Sequence, residues 1–583
     1  MKNTRPMRQQ RRKFVQGIAA TGLLLGLPGR HSAQARLDHG VPATPVLSGK
    51  IFDLVVAETP VDFTGKTRLA TTINGVLPAP TLRWREGDTV TIRVTNRLRE
   101  TTSIHWHGIL LPSQMDGVPG LSFAGIAPGE TFTYQFTLKQ SGTYWYHSHS
   151  GMQEQTGMYG AIIIEPAAGE SIKAEREHVV LLSDWTDENP MRVLGKLKAQ
   201  SDYYNMNRPT LLDFLRDASR DGFAAAFGKR QMWNEMRMNP TDLADVSAQT
   251  MTYLLNGQPA AANWTGLFNP GETVRLRFIN GAGNTFYDVR IPGLKLTVVQ
   301  TDGQDVHPVT VDEFRFGPGE TYDVLVRPAA GAYTIFAQTI DRSGFARGTL
   351  SSDAALAAAV PALDTPVWLS MADMMGGMDH GGSDSSDSDD MAGMEGMEGM
   401  DHSQHAMPAA APIRHAPAEY GPSTDMRVDM PRTAIDDPGV GLRDNGRRVL
   451  TYADLATLGG SMDTRQPERE IEVHLTGNME RYTWSIDGVE YAAASPIRFK
   501  HGERVRVIYH NDTMMTHPMH LHGLWSELES EPGKFQVRKH TISVQPAQRV
   551  SFLVTADALG RWAWHCHLMF HMDSGMFREA LVA

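Results

Sequence analysis

The sequence predicts an all-β protein made of three sandwich or barrel domains in a row, and three observations predict it. From about Val41 onward the 583-residue chain is punctuated by Gly and Pro, with short runs that alternate apolar and polar residues and few helical patterns. A pair of turn-and-strand phrases recurs three times, which implies three related units. The length suits roughly three or four domains at about 150 residues each, and 41% hydrophobic content is enough to fill their cores.

The first 35 residues read as an export signal. Arg5, Arg8, Arg11, Arg12 and Lys13 precede an apolar run from Phe14 to Leu27 and the small stretch Ala33-Gln34-Ala35. Arg11-Arg12 followed by Lys13-Phe14-Val15 resembles a twin-arginine signal, the kind that carries folded proteins across a membrane. Seven of the basic residues and none of the acidic ones lie in this segment, so the mature chain carries 66 acidic residues against fewer basic ones and is strongly negative. That balance excludes nucleic-acid and anionic-membrane partners. No apolar run approaches the ~20 residues of a membrane span, so membrane insertion of the mature chain is excluded as well.

The repeated phrase marks the three domains, expected at 41–168, 175–350 and 450–583. It begins Glu86-Gly87-Asp88-Thr89-Val90, then Pro270-Gly271-Glu272-Thr273-Val274, then His501-Gly502-Glu503-Arg504-Val505, and each feeds a strand ending at Asn96, Asn280 or Asn511. A partner phrase follows each: Pro128-Gly129-Glu130-Thr131, Pro318-Gly319-Glu320-Thr321, and more loosely Pro546-Ala547-Gln548-Arg549. Within the second domain, 202–248 breaks the strand pattern at Leu211-Leu212-Asp213-Phe214-Leu215 and Gln231-Met232-Trp233-Asn234-Glu235, which predicts one or two short helices. Between the second and third domains, residues 365–430 are expected to be a flexible linker. Its centre, 371–407, holds nine Met, nine acidic residues, three His and no Lys or Arg, a composition that buries too little apolar surface to offset its ordering entropy.

The chemistry is concentrated in histidine clusters. Cys566 is the only cysteine, so there is no internal disulfide, and a lone thiol in an exported protein is best explained as a ligand. It stands in His565-Cys566-His567, with His571 and Met576 following. Thiolate, imidazole and thioether together suit a copper centre for electron transfer, given a second imidazole from elsewhere. On a strand, Cys566 faces one way and His565 and His567 the other, so one peptide joins two metal sites. The other clusters are His105-Trp106-His107, His147-Ser148-His149 and His517-Pro518-Met519-His520-Leu521-His522. His178 and His307, in the second domain, read as ordinary structural or surface residues.

These four clusters together resemble the ligand signature of multicopper oxidases, and the mature chain resembles their three-cupredoxin-domain form, with Greek-key β domains. The twin-arginine signal and Met-rich linker resemble the bacterial periplasmic copper-resistance oxidases of the CopA/PcoA type. The resemblance implies four copper ions: type 1 held by His517, Cys566, His571 and axial Met576; type 2 by His105 and His520; and a type 3 pair by His107, His147, His149, His522, His565 and His567. It implies oxidation of a reductant at type 1, through Cys566, and reduction of O2 to water at the other three. Asp116, in Met115-Asp116-Gly117, matches an acidic position that relatives place near the cluster and is the candidate proton relay. Several relatives also carry an acid within or just after the His-Cys-His run. Here Met569 and Met572 stand there, and Asp573 comes one place later.

The expected reductant is Cu(I), oxidised to Cu(II) in copper resistance. Met391, Met394, Met397 and Met400 recur every three residues, and thioethers favour the cuprous ion, so the linker is expected to gather additional Cu(I). Met514, Met515 and Asp512, just ahead of His517, are candidates for passing it on. Other periplasmic copper-handling proteins are the partners that the resemblance implies. The competing expectations are a laccase that oxidises phenols and a non-catalytic protein that sequesters copper.

Overall fold

In the computed structural model, residues 44–235, 239–376 and 413–583 are described. The expected export signal at 1–35 lies outside them. The strands form six sheets in three consecutive pairs, of five and four strands, then seven and five, then six and five. The fold is the all-β one that the sequence predicts.

The recurring phrase has the same place in each pair. Its strand, Thr89–Asn96, Val274–Asn280 or Arg504–Asn511, runs parallel to the first long strand of its domain, Ile51–Asp62, Arg176–Thr186 or Arg469–Asn478. It runs antiparallel to the strand launched by the partner phrase: Thr131–Thr137, Thr321–Val326 or Arg549–Thr555. The terminal asparagine has a physical reason. Asn96 Nδ2 donates to the carbonyls of Glu100 and Ile126, Asn280 Nδ2 to those of Thr285 and Phe316, and Asn511 Nδ2 to those of Met515 and Val544. In each domain one buried amide thus ties two chain segments to the end of a central strand, satisfying carbonyls that burial would otherwise penalise.

Ring contacts bind the two sheets of each domain face to face. Phe52 and Trp84 cross the first interface at 6.3 Å, Phe278 and Phe314 the second at 5.4 Å, and Tyr509 and Trp564 the third at 6.1 Å. Each such buried ring contributes about 1.5–3 kcal/mol through the surface it removes from water. Trp564 Nε1–H also donates to Tyr509 Oη at 2.5 Å, so its polar edge is satisfied inside the core.

The second domain carries the expected helices. Leu211–Asp221 opens on a capping box, with Thr210 and Asp213 each bonding the other's backbone N–H, and Phe223–Glu235 follows. A further helix, Pro190–Ala199, capped by Asn189, lies ahead of the expected segment. Its proline at the first position suits a helix start. No helix among the described residues is long and apolar enough to cross a membrane.

The stretch 365–430 differs from expectation at both ends. Met371–Met375 is a short helix capped by Ser370, with Met374 buried, and Leu369 N–H donates to the Pro240 carbonyl at 2.9 Å. Beyond it, Glu419, Met426 and Val428 are buried, and Gly376 and Met430 form a parallel bridge. Local apolar side chains and capping acids thus build these ends into the fold. The middle of the expected linker, 377–412, lies outside the described residues together with its methionine repeat.

Candidate metal centre

Two strand pairs assemble the histidines. His105–His107 lies antiparallel to Gly142–His147, with His105 opposite His147, and His517–Leu521 lies antiparallel to Gly560–Cys566, with His520 opposite His565. Gly117 lets the chain turn sharply after Asp116: it has φ of 84°, and a Cβ there would lie 1.8 Å from the Ile104 carbonyl oxygen.

The side chains converge in sets whose ligand atoms lie within 4.8 Å of one another: His107, His147 and His567; His149, His522 and His565; His105, His520 and His522; and His517, Cys566 and His571. The alternation expected around Cys566 is therefore present. His565 meets His149 and His522 at Nε2 distances of 3.4 and 3.1 Å, whereas Cys566 Sγ turns to His517 Nδ1 at 3.5 Å and His571 Nδ1 at 3.7 Å. Met576 is buried beside this last set, and its backbone pairs with Cys566 and His571.

Outer hydrogen bonds decide which ring nitrogen faces inward. His105 Nδ1 meets the Asp116 carbonyl at 2.8 Å, His147 Nδ1 that of Ser148 at 2.9 Å, His520 Nδ1 that of His540 at 2.6 Å, and His565 Nδ1 that of Cys566 at 2.9 Å. A carbonyl accepts only from N–H, which fixes the tautomer and leaves Nε2 as a lone-pair donor. His517 has the opposite sense: Nε2 is bound to Thr513 Oγ1 at 2.7 Å, and Nδ1 is left for Cys566's neighbourhood.

These residues fit copper. The inward Nε2 atoms of His105, His147 and His520, and both ring nitrogens of His107 and His567, are buried without a hydrogen-bond partner among the described residues, an arrangement that burial penalises unless something fills it. Burial, reinforced by the neighbouring imidazoles, pushes His107, His147, His149, His520, His522 and His567 well below the usual histidine range, and burial pushes His565 down to about 3, so the rings are neutral ligands. Burial also pushes the Cys566 thiol well above its ordinary value, so a bound cation is what would make it a thiolate. The donor set is imidazole throughout one centre, and imidazole with sulfur in the other.

Family profiles described as multicopper oxidase match residues 55–169, 176–358 and 464–583. The chain belongs to the multicopper oxidase family. It is 57% identical to a copper resistance protein A homolog of Pseudomonas syringae pv. tomato, over 99% of this chain and 100% of that one. It is 55% identical to copper resistance protein A of Escherichia coli, over 99% of both chains. Among solved structures it resembles Fet3p, a multicopper oxidase that functions in iron import (TM-score 0.63, 19% identity, 92% of this chain and 90% of that one). It also resembles a laccase from Botrytis aclada (TM-score 0.62, 22% identity, 92% and 88%). At such identities the likeness to these structures is one of fold.

The multicopper oxidase centre includes side chains with no sequence signal. His540 joins His107 and His520 within 4.8 Å, and Gly108 makes room for it, since a Cβ there would lie 2.4 Å from its ring. Burial lowers His540 to about 4. Glu154 Oε2 lies 2.8 Å from His147 Nδ1, while its Oε1 is buried without a hydrogen-bond partner among the described residues; burial, then the charge of Asp184, holds its carboxyl well above the usual range. Asp245, from the helical insertion, places Oδ2 2.8 Å from His571 Nε2. Asp116 lies between two of these rings, Oδ1 3.2 Å from His105 Nδ1 and Oδ2 2.9 Å from His522 Nδ1. Asp573 is exposed, while Met569 is buried. Asp512 does not face His517: Oδ1 accepts from Val428 N–H at 2.8 Å and Oδ2 lies 2.7 Å from His474 Nδ1. Met514 and Met515 are buried in the core.

Proposed function

We propose that this is a periplasmic copper-resistance oxidase that takes electrons from Cu(I), as substrate, and delivers them to O2, forming water. Relatives named copper resistance protein A, matching over nearly their whole length, support the physiological role. The observation that carries the choice of reductant is at His571. Its ring is fully buried, stacked on Trp484 at 3.8 Å, with Asp245 against its outer nitrogen. A carboxylate there attracts a cation, whereas a phenol needs an open edge of that ring. The chain leading to Asp245 packs, through Pro240, beside the segment that ends in the Met371–Met375 helix. The methionines of 377–412 follow directly and would gather additional Cu(I).

Four copper ions are assigned. His517, Cys566, His571 and Met576 would hold type 1; His105 and His520 would hold type 2; His107, His147 and His567 would hold one type 3 ion, and His149, His522 and His565 the other. Copper, when bound, supplies one-electron oxidation at the sulfur site and four-electron reduction of O2 at the histidine cluster. Cys566 carries the electron between them through its own backbone, which is continuous with His565 and His567. Asp116 bridges a ligand from the first domain and one from the third, fixing both rings and offering a carboxylate for protons. Glu154 gives the cluster a second carboxylate, one that the final His-Cys-His run, with Met569 and Met572, does not supply, and Oε1 is the atom at which it would hold a proton. Domains at 41–168, 175–350 and 450–583, export as a folded chain by the twin-arginine route, and supply by other periplasmic copper handlers complete the reading.

Oxygen uptake tests it, comparing anaerobically prepared Cu(I) with a phenolic reductant. Faster turnover with Cu(I) is expected. Turnover with phenol alone would make the protein a laccase, and none with either would leave sequestration.

A further inference from the structure

A second group of histidines and carboxylates lies where the stretch 413–430 packs against the third domain, apart from the proposed copper ligands. His415 Nδ1 is 2.7 Å from Glu419 Oε2 and 3.9 Å from Asp512 Oδ2; His474 Nδ1 is 2.7 Å from Asp512 Oδ2 and 3.3 Å from Glu419 Oε2. All four side chains are at most 5% exposed.

Three features distinguish the group from an ordinary hydrogen-bonded pair. Each carboxylate is anchored through one oxygen to a backbone N–H, Glu419 Oε1 to Ala416 at 3.0 Å and Asp512 Oδ1 to Val428 at 2.8 Å, which aims the other oxygen into the group. Among the described residues no lysine or arginine side chain pairs with either carboxylate, so imidazoles are the only side chains that can bring positive charge to these two buried acids. Finally, the adjoining His510 ring, stacked on His474 at 4.7 Å, is 2% exposed and has no hydrogen-bond partner for either nitrogen among the described residues. Burial, then the charge of His474, lowers His510 to about 3, so it too is a neutral imidazole.

We infer that His415, His474, Glu419 and Asp512 form a binding site for a divalent first-row cation, distinct from the four copper positions of the oxidase centre. Two imidazoles and two carboxylates neutralise such an ion. Donors about 2.1 Å from a tetrahedral ion are about 3.4 Å apart, and the four separations above, 2.7 to 3.9 Å, bracket that value. The hard oxygens exclude Cu(I) and favour Cu(II) or Zn(II), with Cu(II) the tighter at such donors. Asp429, 81% exposed with Oδ1 3.5 Å from His415 Nε2, marks the way in from solvent. Asp512 therefore serves this site rather than His517.

The test is metal analysis of the full mature, copper-loaded protein after equilibrium dialysis against Cu(II) in one arm and Zn(II) in the other, for the wild type and Glu419→Gln. The expected result is one equivalent fewer per chain in the variant with its blue colour unchanged; the arm that shows the loss identifies the ion. Equal metal content in both arms overturns the site. If the variant loses its colour as well, anomalous diffraction from wild-type crystals soaked in each metal decides: a peak among the four donor atoms supports the site, and no peak at either edge overturns it.

Discussion

His571 Nε2 lies 2.8 Å from Asp245 Oδ2, while Nδ1 of the same ring lies 3.7 Å from Cys566 Sγ. One imidazole thus joins the helical insertion of the second domain to the sulfur site of the third. On the proposed function, an electron entering by the carboxylate side would meet the sulfur site through that single ring.

Asp245→Asn keeps the shape and removes the charge. Partners of ligating histidines change metal affinity or activity about 10- to 100-fold. The apparent affinity for Cu(I) is expected to fall about tenfold while the blue colour and phenol oxidation persist. Equal losses with both reductants would reduce Asp245 to a structural role.

Cys566→Ser removes the thiolate and, with it, the blue colour, while the histidine ligands of the cluster remain. Retained colour would overturn the assignment of Cys566.

Glu154→Gln tests the carboxylate at His147. Positioned proton donors contribute about 10²–10⁴-fold. Oxygen uptake should fall by about 100-fold, with copper content unchanged and the blue colour fading during turnover because electrons arrive faster than oxygen is reduced. Wild-type uptake would remove Glu154 from the proton path.

Deleting 377–412 leaves the Met371–Met375 helix and the bridge between Gly376 and Met430 in place. Cu(I) oxidation should weaken more than phenol oxidation; equal losses would sink the idea that the stretch recruits substrate.

Asn280→Ala leaves the carbonyls of Thr285 and Phe316 buried without their donor. Each orphaned group costs about 1–3 kcal/mol, so stability should drop by about 3 kcal/mol, read as a lower denaturant midpoint, with the blue colour unaltered.

The convergence of these side chains was legible in the sequence because strand alternation is local: His565, Cys566 and His567 reveal their opposed faces without any knowledge of the fold. The asparagine-terminated phrase was legible because each domain uses the same buried amide. Glu154, Asp245 and His540 were not, since each is a solitary residue outside any motif: a loop folds Glu154 back onto His147, while domain packing brings Asp245 to His571 and His540 to His107. Asp512 was misread for the converse reason. Nearness to His517 along the chain suggested a common task, but the strand that carries His510 and Asn511 delivers Asp512 to His474 instead.

The most direct measurement follows O2 consumption and Cu(II) formation together as limiting Cu(I) is added to the copper-loaded protein under turnover. The account predicts repeated turnover at one O2 for four cuprous ions, with no hydrogen peroxide released. Consumption that stops after the sites are filled, or that releases peroxide in proportion to Cu(I), would contradict it.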